Sequence, residues 1–357
     1  MKELLDTFIE IKYQVLFLYT SIGEMVSITM TYNMHLNYGM VNINMKELLF
    51  MKPVFKEAVW GGRKLRDDFG YEIPSDSTGE CWGIGAHKNG DCEIAEGTYK
   101  GEHLSKLWEE HPELFGNEDG KYGKEFPLLI KIIDAKSDLS IQVHPDNAYA
   151  KEHENGSLGK TECWYILDSE PGTQIVIGHH AKDKEELMQM VEEKRWKDLI
   201  REVPVKKGDF YQIDPGCVHA IKGGTVILET QQSSDITYRV YDYDRKWNGK
   251  LRELHVKQSL DVIKTPFQPA KDQRSITHTE GADLEHLETC PYYTVEKYDI
   301  HGTWDHVFEA GFVNASVIEG EGSINGRKIK KGDHFIIPAD FGTCSFEGNL
   351  SLICSWV

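Results

Sequence analysis

Val205-Lys206-Lys207-Gly208-Asp209-Phe210 and Ile329-Lys330-Lys331-Gly332-Asp333-His334 are two copies of one pattern, and each is followed shortly by a proline, Pro215 or Pro338. Gly-Asp between apolar runs is a tight-turn signal, and a proline soon after it ends a strand or confines it to an edge. A strand-turn unit that occurs twice predicts two related β units. Between the copies, Val317 to Gly332 reads as a strand, a glycine-rich turn at Gly320 and Gly322, and a hairpin at Asn325-Gly326. Asn-Gly suits a two-residue turn because both positions need positive φ.

Outside the repeat the chain stays mostly strand-like. Lys52 to Trp60 reads as extended, with a turn at Gly61-Gly62, and Leu128 to Ile133 as a buried strand. Leu104, Leu107, Trp108 and Leu114 have roughly helical spacing. The clearest helix is predicted over residues 183–201. Asp183 with Glu186 forms its N-terminal cap pair, and Leu187, Met190 and Val191 its apolar stripe. Residues 1–44 differ from the rest, being rich in Met, Tyr, Asn and Thr without a period. Met-Lys-Glu-Leu-Leu occurs at Met1 and again at Met45, so residues 1–44 read as an appended leader and Met45 as the natural start.

The chain has 357 residues, 40% of them hydrophobic, enough for a sizeable core. Its formal charge of −18 excludes a nucleic-acid or anionic-membrane partner as the expectation. A small anion is still acceptable where a few local cations outweigh distant charge. Ile9 to Val26 carries Glu10, Lys12, Gln14 and Glu24 and fails as a membrane span, and Met1-Lys2-Glu3 is no secretory leader. Seven scattered cysteines without a C-x-x-C predict a reducing, cytoplasmic setting.

Leu139-Ser140-Ile141-Gln142-Val143-His144-Pro145 carries the chemistry. On a strand, Leu139, Ile141 and Val143 face one way and Ser140, Gln142 and His144 the other. Polar side chains turned together into a core need partners, and a metal supplies them. With Glu162 and His219, Gln142 and His144 make a mixed N/O ligand set. That set suits zinc and leaves manganese, iron, cobalt and nickel open.

The Gly-Asp…Pro punctuation, with Gly216-x-x-His219 after the first copy, resembles the cupin family. The resemblance implies a mainly β fold of two cupin-type jelly-roll β-barrel units with a few inserted helices. The expected division is a metal-binding unit over 45–270 and a metal-free unit over 271–357. Phe126-Pro127-Leu128-Leu129-Ile130-Lys131, the 139–145 segment, Lys160-Thr161-Glu162 and Ser234-Asp235-Ile236-Thr237-Tyr238-Arg239 are similar to type I mannose-6-phosphate isomerases, in their short bacterial form, over about residues 50–357.

That resemblance implies interconversion of an aldose phosphate and a ketose phosphate through an enediolate. It makes Gln142, His144, Glu162 and His219 the ligands of one Zn2+. Lys131, Lys160, Glu229, Asp235 and Arg239 match functional positions near the metal, and Ser140 and Arg245 phosphate-side positions. Lys131, Lys160 and Glu229 all stand as candidate bases, and Arg239 is the expected oxyanion partner. Cys163 and Cys217 read as buried spectators. The partner is a small phosphorylated sugar, and the chain a monomer or homodimer. Another cupin sugar-phosphate isomerase, or a sugar-binding cupin without catalysis, is the alternative.

Overall fold

The computed structural model describes residues 46–247 and 249–357, so the leader expected at 1–44 lies outside the described residues. Two facing sheets form the first half. A six-stranded sheet runs Phe210–Ile213, Glu162–Ser169, Thr225–Gln232, Leu128–Ala135, Val54–Gly62 and Thr78–Ile84. A five-stranded sheet runs Ile200–Pro204, Gln174–His179, His219–Ala220, Ile141–Val143 and Tyr238–Tyr241. The C-terminal residues build a nine-stranded sheet that also takes in Leu49–Lys52 and Glu93–Ile94. Among the described residues, no helix is long and apolar enough to cross a membrane.

Side-chain alternation explains the layering. In Leu128–Ala135 every residue is buried, because both faces are covered. Leu128, Ile130 and Ile132 join a core with Leu287, Val295, Ile318 and Ile353 of the C-terminal sheet. Ile133 and Ala135 face inward with Trp164, Ile166, Ile175, Ile177 and Ile227 of the two facing sheets. Within the first of these cores, the Phe126 ring lies 5.2 Å from Trp108 and 5.5 Å from Phe312. A separate core with Tyr298, Val317, Phe335 and Leu352 fills the C-terminal half.

The outer face of the five-stranded sheet packs on helices through Ile141, Val143, Leu187, Met190 and Val191. The single helix expected over 183–201 is two, Lys184–Glu192 and Trp196–Leu199. The chain breaks between them at Lys194, where φ is +54°. Asp183 caps the first helix by accepting from the Glu186 N–H at 2.8 Å, while the Glu186 carboxylate reaches back to the Lys182 N–H.

Gly61-Gly62 ends a strand instead of turning, and Gly320 and Gly322 lie inside the strand Val313–Ile324, which carries a bulge between Val317 and Glu319. Asn325-Gly326 does form the hairpin, at φ +47° and +78°. The helix over Leu104–Glu110 and the buried strand at 128 match expectation.

Candidate metal centre and its surroundings

Three neighbouring strands set one row of the site. His219 is directly opposite Gln142, and Gln142 directly opposite Arg239. His144 follows two residues after Gln142 on the same side, and Glu162 begins a strand of the facing sheet. Leu139 departs from its expected partners: it precedes the short strand Ile141–Val143 and turns into the inter-sheet core, while Ile141 and Val143 pack outward on the helices. Gly216 permits the turn before His219. Its φ is +86°, its N–H donates to the His144 carbonyl at 2.9 Å, and a Cβ there would meet the Val262 carbonyl at 2.7 Å. Any larger residue would separate the two ligand-bearing segments.

His144, Glu162 and His219 are buried, with ligand atoms mutually within 4.8 Å. The two Nε2 atoms are 3.1 Å apart. Glu162 Oε1 lies 3.2 Å from His219 Nε2, and Oε2 lies 3.5 Å from His144 Nε2. Their tautomers follow from their partners. His144 Nδ1–H donates to the Ile236 carbonyl at 2.7 Å and His219 Nδ1–H to the Cys217 carbonyl at 2.9 Å, because a carbonyl only accepts. Both Nε2 lone pairs therefore converge on a carboxylate that has Lys160 on its other side, a cluster short of donors between the two rings that a cation there satisfies. Glu162 Oε1 has no hydrogen-bond partner among the described residues.

Burial lowers His144 well below the usual imidazole range, helped by Lys160 and His219, and lowers His219 to about 4. Both rings are thus in their neutral, metal-ligating form near pH 7. Gln142 completes the group. Its Nε2 is 3.3 Å from His219 Nε2 and its Oε1 3.4 Å from Ser140 Oγ; a half-turn of the amide presents the oxygen to a cation and the NH2 to Ser140.

A second row crosses the six-stranded sheet: Trp82 opposite Lys131, Lys131 opposite Glu229, Glu229 opposite Trp164. Lys131 Nζ is 3.3 Å from Glu229 Oε1, and Lys160 Nζ is 2.9 Å from Glu162 Oε2 and 3.9 Å from Glu229 Oε1. Trp164 Nε1–H donates to Glu229 Oε2 at 2.9 Å. Burial opposes a charge on Lys160, yet Glu162 and Glu229 raise it above the ordinary lysine value. Burial also opposes a charge on Glu229, and Lys160 and Lys131 nonetheless hold its carboxyl below the ordinary range.

Arg239 is half-buried, and its Nε has no acceptor among the described residues. Arg245 donates from Nη2 to Asp242 Oδ1 at 2.5 Å and from Nη1 to the Asp138 carbonyl. Asp235 stands apart from Arg239: it is exposed, accepts from Asn89 Nδ2, and lies 3.6 Å from His87 Nε2. Cys163 is buried and Cys217 partly so, its thiol pushed up to about 12 by burial. Sequence reading missed Glu80, whose Oε2 accepts from Trp82 Nε1 and lies 3.6 Å from Lys131 Nζ. The signal was the period-two pair Glu80 and Trp82 on a strand beside that of Lys131.

Comparison with known proteins identifies the family of the chain. Residues 48–167 match the phosphomannose isomerase type I catalytic domain, and residues 283–357 the mannose-6-phosphate isomerase cupin domain. The chain is 50% identical to mannose-6-phosphate isomerase ManA of Bacillus subtilis over 87% of its own length and 98% of the relative's. It is 46% identical to a mannose-6-phosphate isomerase of Streptococcus mutans with the same coverage. A crystal structure of the mannose 6-phosphate isomerase from Bacillus subtilis superposes with a TM-score of 0.85 at 45% identity, covering 87% of this chain and all of that one.

Proposed function

The chain belongs to the type I phosphomannose isomerases, a cupin fold, and on that premise we propose that it interconverts mannose 6-phosphate and fructose 6-phosphate with one Zn2+ held by Gln142, His144, Glu162 and His219. The observation that carries this reading is the convergence of two imidazole lone pairs on a buried carboxylate. When bound, the dication supplies Lewis-acid polarisation of the sugar carbonyl and stabilisation of oxyanion charge.

The reaction moves one proton between adjacent carbons while the carbonyl shifts by one position. Among the three candidate bases, the charges favour Glu229. It is an ionised acceptor held between two ammonium groups, whereas Lys160 is kept protonated by its two carboxylates. Lys160 and Lys131 then hold the Glu229 carboxylate in place and can return a proton to a substrate oxygen. Arg239, opposite Gln142, offers its fixed fork to charge developing on the sugar oxygens. Ser140 and Arg245 flank the metal-ligand strand on the side assigned to the phosphate. Asp235 keeps a peripheral role, holding Asn89 and standing beside His87.

Residues 45–270 and 271–357 are taken as the metal-binding unit and its metal-free companion. The seven free cysteines suit a reducing cytoplasm. The test is metal analysis of the purified protein combined with a coupled assay on mannose 6-phosphate. The expected result is about one divalent ion per chain and activity that a chelator abolishes and Zn2+ restores. Turnover that survives complete metal removal would overturn the assignment.

A further inference from the structure

Beside the metal centre, two arginines converge on one buried carboxylate, and a third lies within its field. The Asp242 side chain is only 4% exposed, and its Oδ1 accepts from both Arg245 Nη2 at 2.5 Å and Arg252 Nη1 at 3.2 Å. Arg239 and Arg245 each depress the pKa of Arg252, after burial as the first cause, so the three guanidiniums lie within each other's fields. Arg239 is tied by strand pairing to Gln142, and Arg245 by its Nη1 to the carbonyl of Asp138, two residues ahead of Ser140. The patch therefore runs alongside the segment that carries the metal ligands.

Arg245 and Arg252 share one carboxylate, and Glu253 acts on Arg239 only at longer range, so the cluster keeps a positive surplus in a partly buried place. Arg245 and Arg252 have side chains only 20% and 19% exposed. Like charges held this close, away from bulk water, repel. Without Asp242 the two guanidiniums would separate and turn to solvent. With it, both are held by one oxygen with further N–H donors left over. A group bearing two negative charges and three acceptor oxygens complements this arrangement, and a phosphate monoester is such a group.

We infer that Arg252 is a further phosphate-binding residue, and that Asp242 is the positioning residue that sets Arg245 and Arg252 as a paired fork for the dianionic phosphate of the sugar. The inference rests on the isomerase reading given above, and it adds a selectivity device. The metal row handles the sugar carbons, and the Asp242 cluster makes the enzyme require the phosphate.

The experiment compares metal-loaded wild type with Arg252→Gln, Arg252→Lys and Asp242→Asn. Each is measured for kcat and KM on mannose 6-phosphate, for kcat/KM on free mannose, for melting temperature, and for the calorimetric Kd of inorganic phosphate. Loss of a charge-assisted hydrogen bond predicts a rise of roughly 10- to 100-fold in KM and in phosphate Kd for Arg252→Gln, with kcat changed less than threefold. Activity on free mannose should fall far less than activity on the phosphorylated sugar, and Arg252→Lys should recover part of the loss. Asp242→Asn should raise KM at least as much, and combining it with Arg252→Gln should give less than the product of the two effects, because they act through one arrangement. An unchanged phosphate Kd in Arg252→Gln would overturn the inference, as would equal losses on phosphorylated and free sugar. The phosphate titration needs no turnover. A wild type that binds phosphate through Arg252 but does not isomerise would refute the activity alone.

Discussion

Stripping the metal and returning it should move protons, and how many depends on one residue. In the metal-free site, burial and the neighbouring Glu229 raise the Glu162 carboxyl to about 7, against the pull of Lys160. Burial lowers both imidazoles, so the proton displaced by a metal comes from the carboxyl and not from a ring. Lys160 is ion-paired with Glu162 at 2.9 Å but is itself raised, and stays charged throughout. A divalent ion binds the carboxylate, so binding should release close to one proton where the metal-free carboxyl is protonated, and progressively less as the pH rises through its raised pKa. The sign follows from the raised value: the metal-free folded site holds a proton below about 7 and has already lost it above. Affinity should correspondingly weaken by roughly tenfold for each pH unit below 7. Calorimetric titration of Zn2+ or Mn2+ into chelator-treated protein, in buffers of differing ionisation enthalpy, measures the number directly. Release of two protons at pH 6 would mean that the imidazoles are charged in the empty site. Release of none would mean that Glu162 is ionised there. Either result refutes the electrostatic picture drawn from the burial of the three ligands.

Arg239→Ala should retain the metal and the melting temperature while kcat falls by about 10²–10³, and Arg239→Lys should recover only part of it; a change confined to KM in steady-state kinetics would move Arg239 from the reacting oxygens to the phosphate. Phe126→Ala removes a ring that is 1% exposed and lies between Trp108 and Phe312, and should cost about 3–5 kcal/mol in denaturant unfolding. A loss under about 1 kcal/mol would show that this core relaxes around the gap. A chain beginning at Met45 should keep the melting temperature and activity of the full chain, as the family match starts at residue 48; insolubility of that truncation would make residues 1–44 part of the folded unit.

What could be read from the sequence was what depends on short-range pattern. The alternation in the 139–145 segment placed Gln142 and His144 on one side, and the Asn325-Gly326 hairpin followed from its turn chemistry. The continuous apolar run at 128 predicted a strand covered on both faces. Elsewhere local pattern was overridden by tertiary context. Nothing in the helical stripe at 183–201 announces the break at Lys194, because the next helix is placed by packing on the sheet. Gly320 and Gly322 read as a turn but continue a long strand just past its bulge, where the neighbouring strand's backbone comes too close for a Cβ. Asp242 and Arg252 were missed because acidic and basic residues are common in that stretch. Only the fold shows that Arg245 and Arg252 meet at one oxygen.

The strand Leu49–Lys52 lies within the sheet made by the C-terminal residues, with Leu49 and Phe50 paired to Ile336 and Phe335. During synthesis this stretch leaves the ribosome early, and its partner strand leaves almost at the end. A nascent chain therefore cannot close that sheet until translation is nearly finished. Until then Leu49 and Phe50, both buried in the finished molecule, lack the strand they pair with, and only the other edge of this stretch, where Met51 pairs with Ile94, can already form. The six-stranded sheet meanwhile carries an apolar outer face with no companion to cover it. Both surfaces invite association with other unfinished chains, so the yield of active enzyme in a cell depends on how well the emerging polypeptide is shielded as well as on the stability of the final fold.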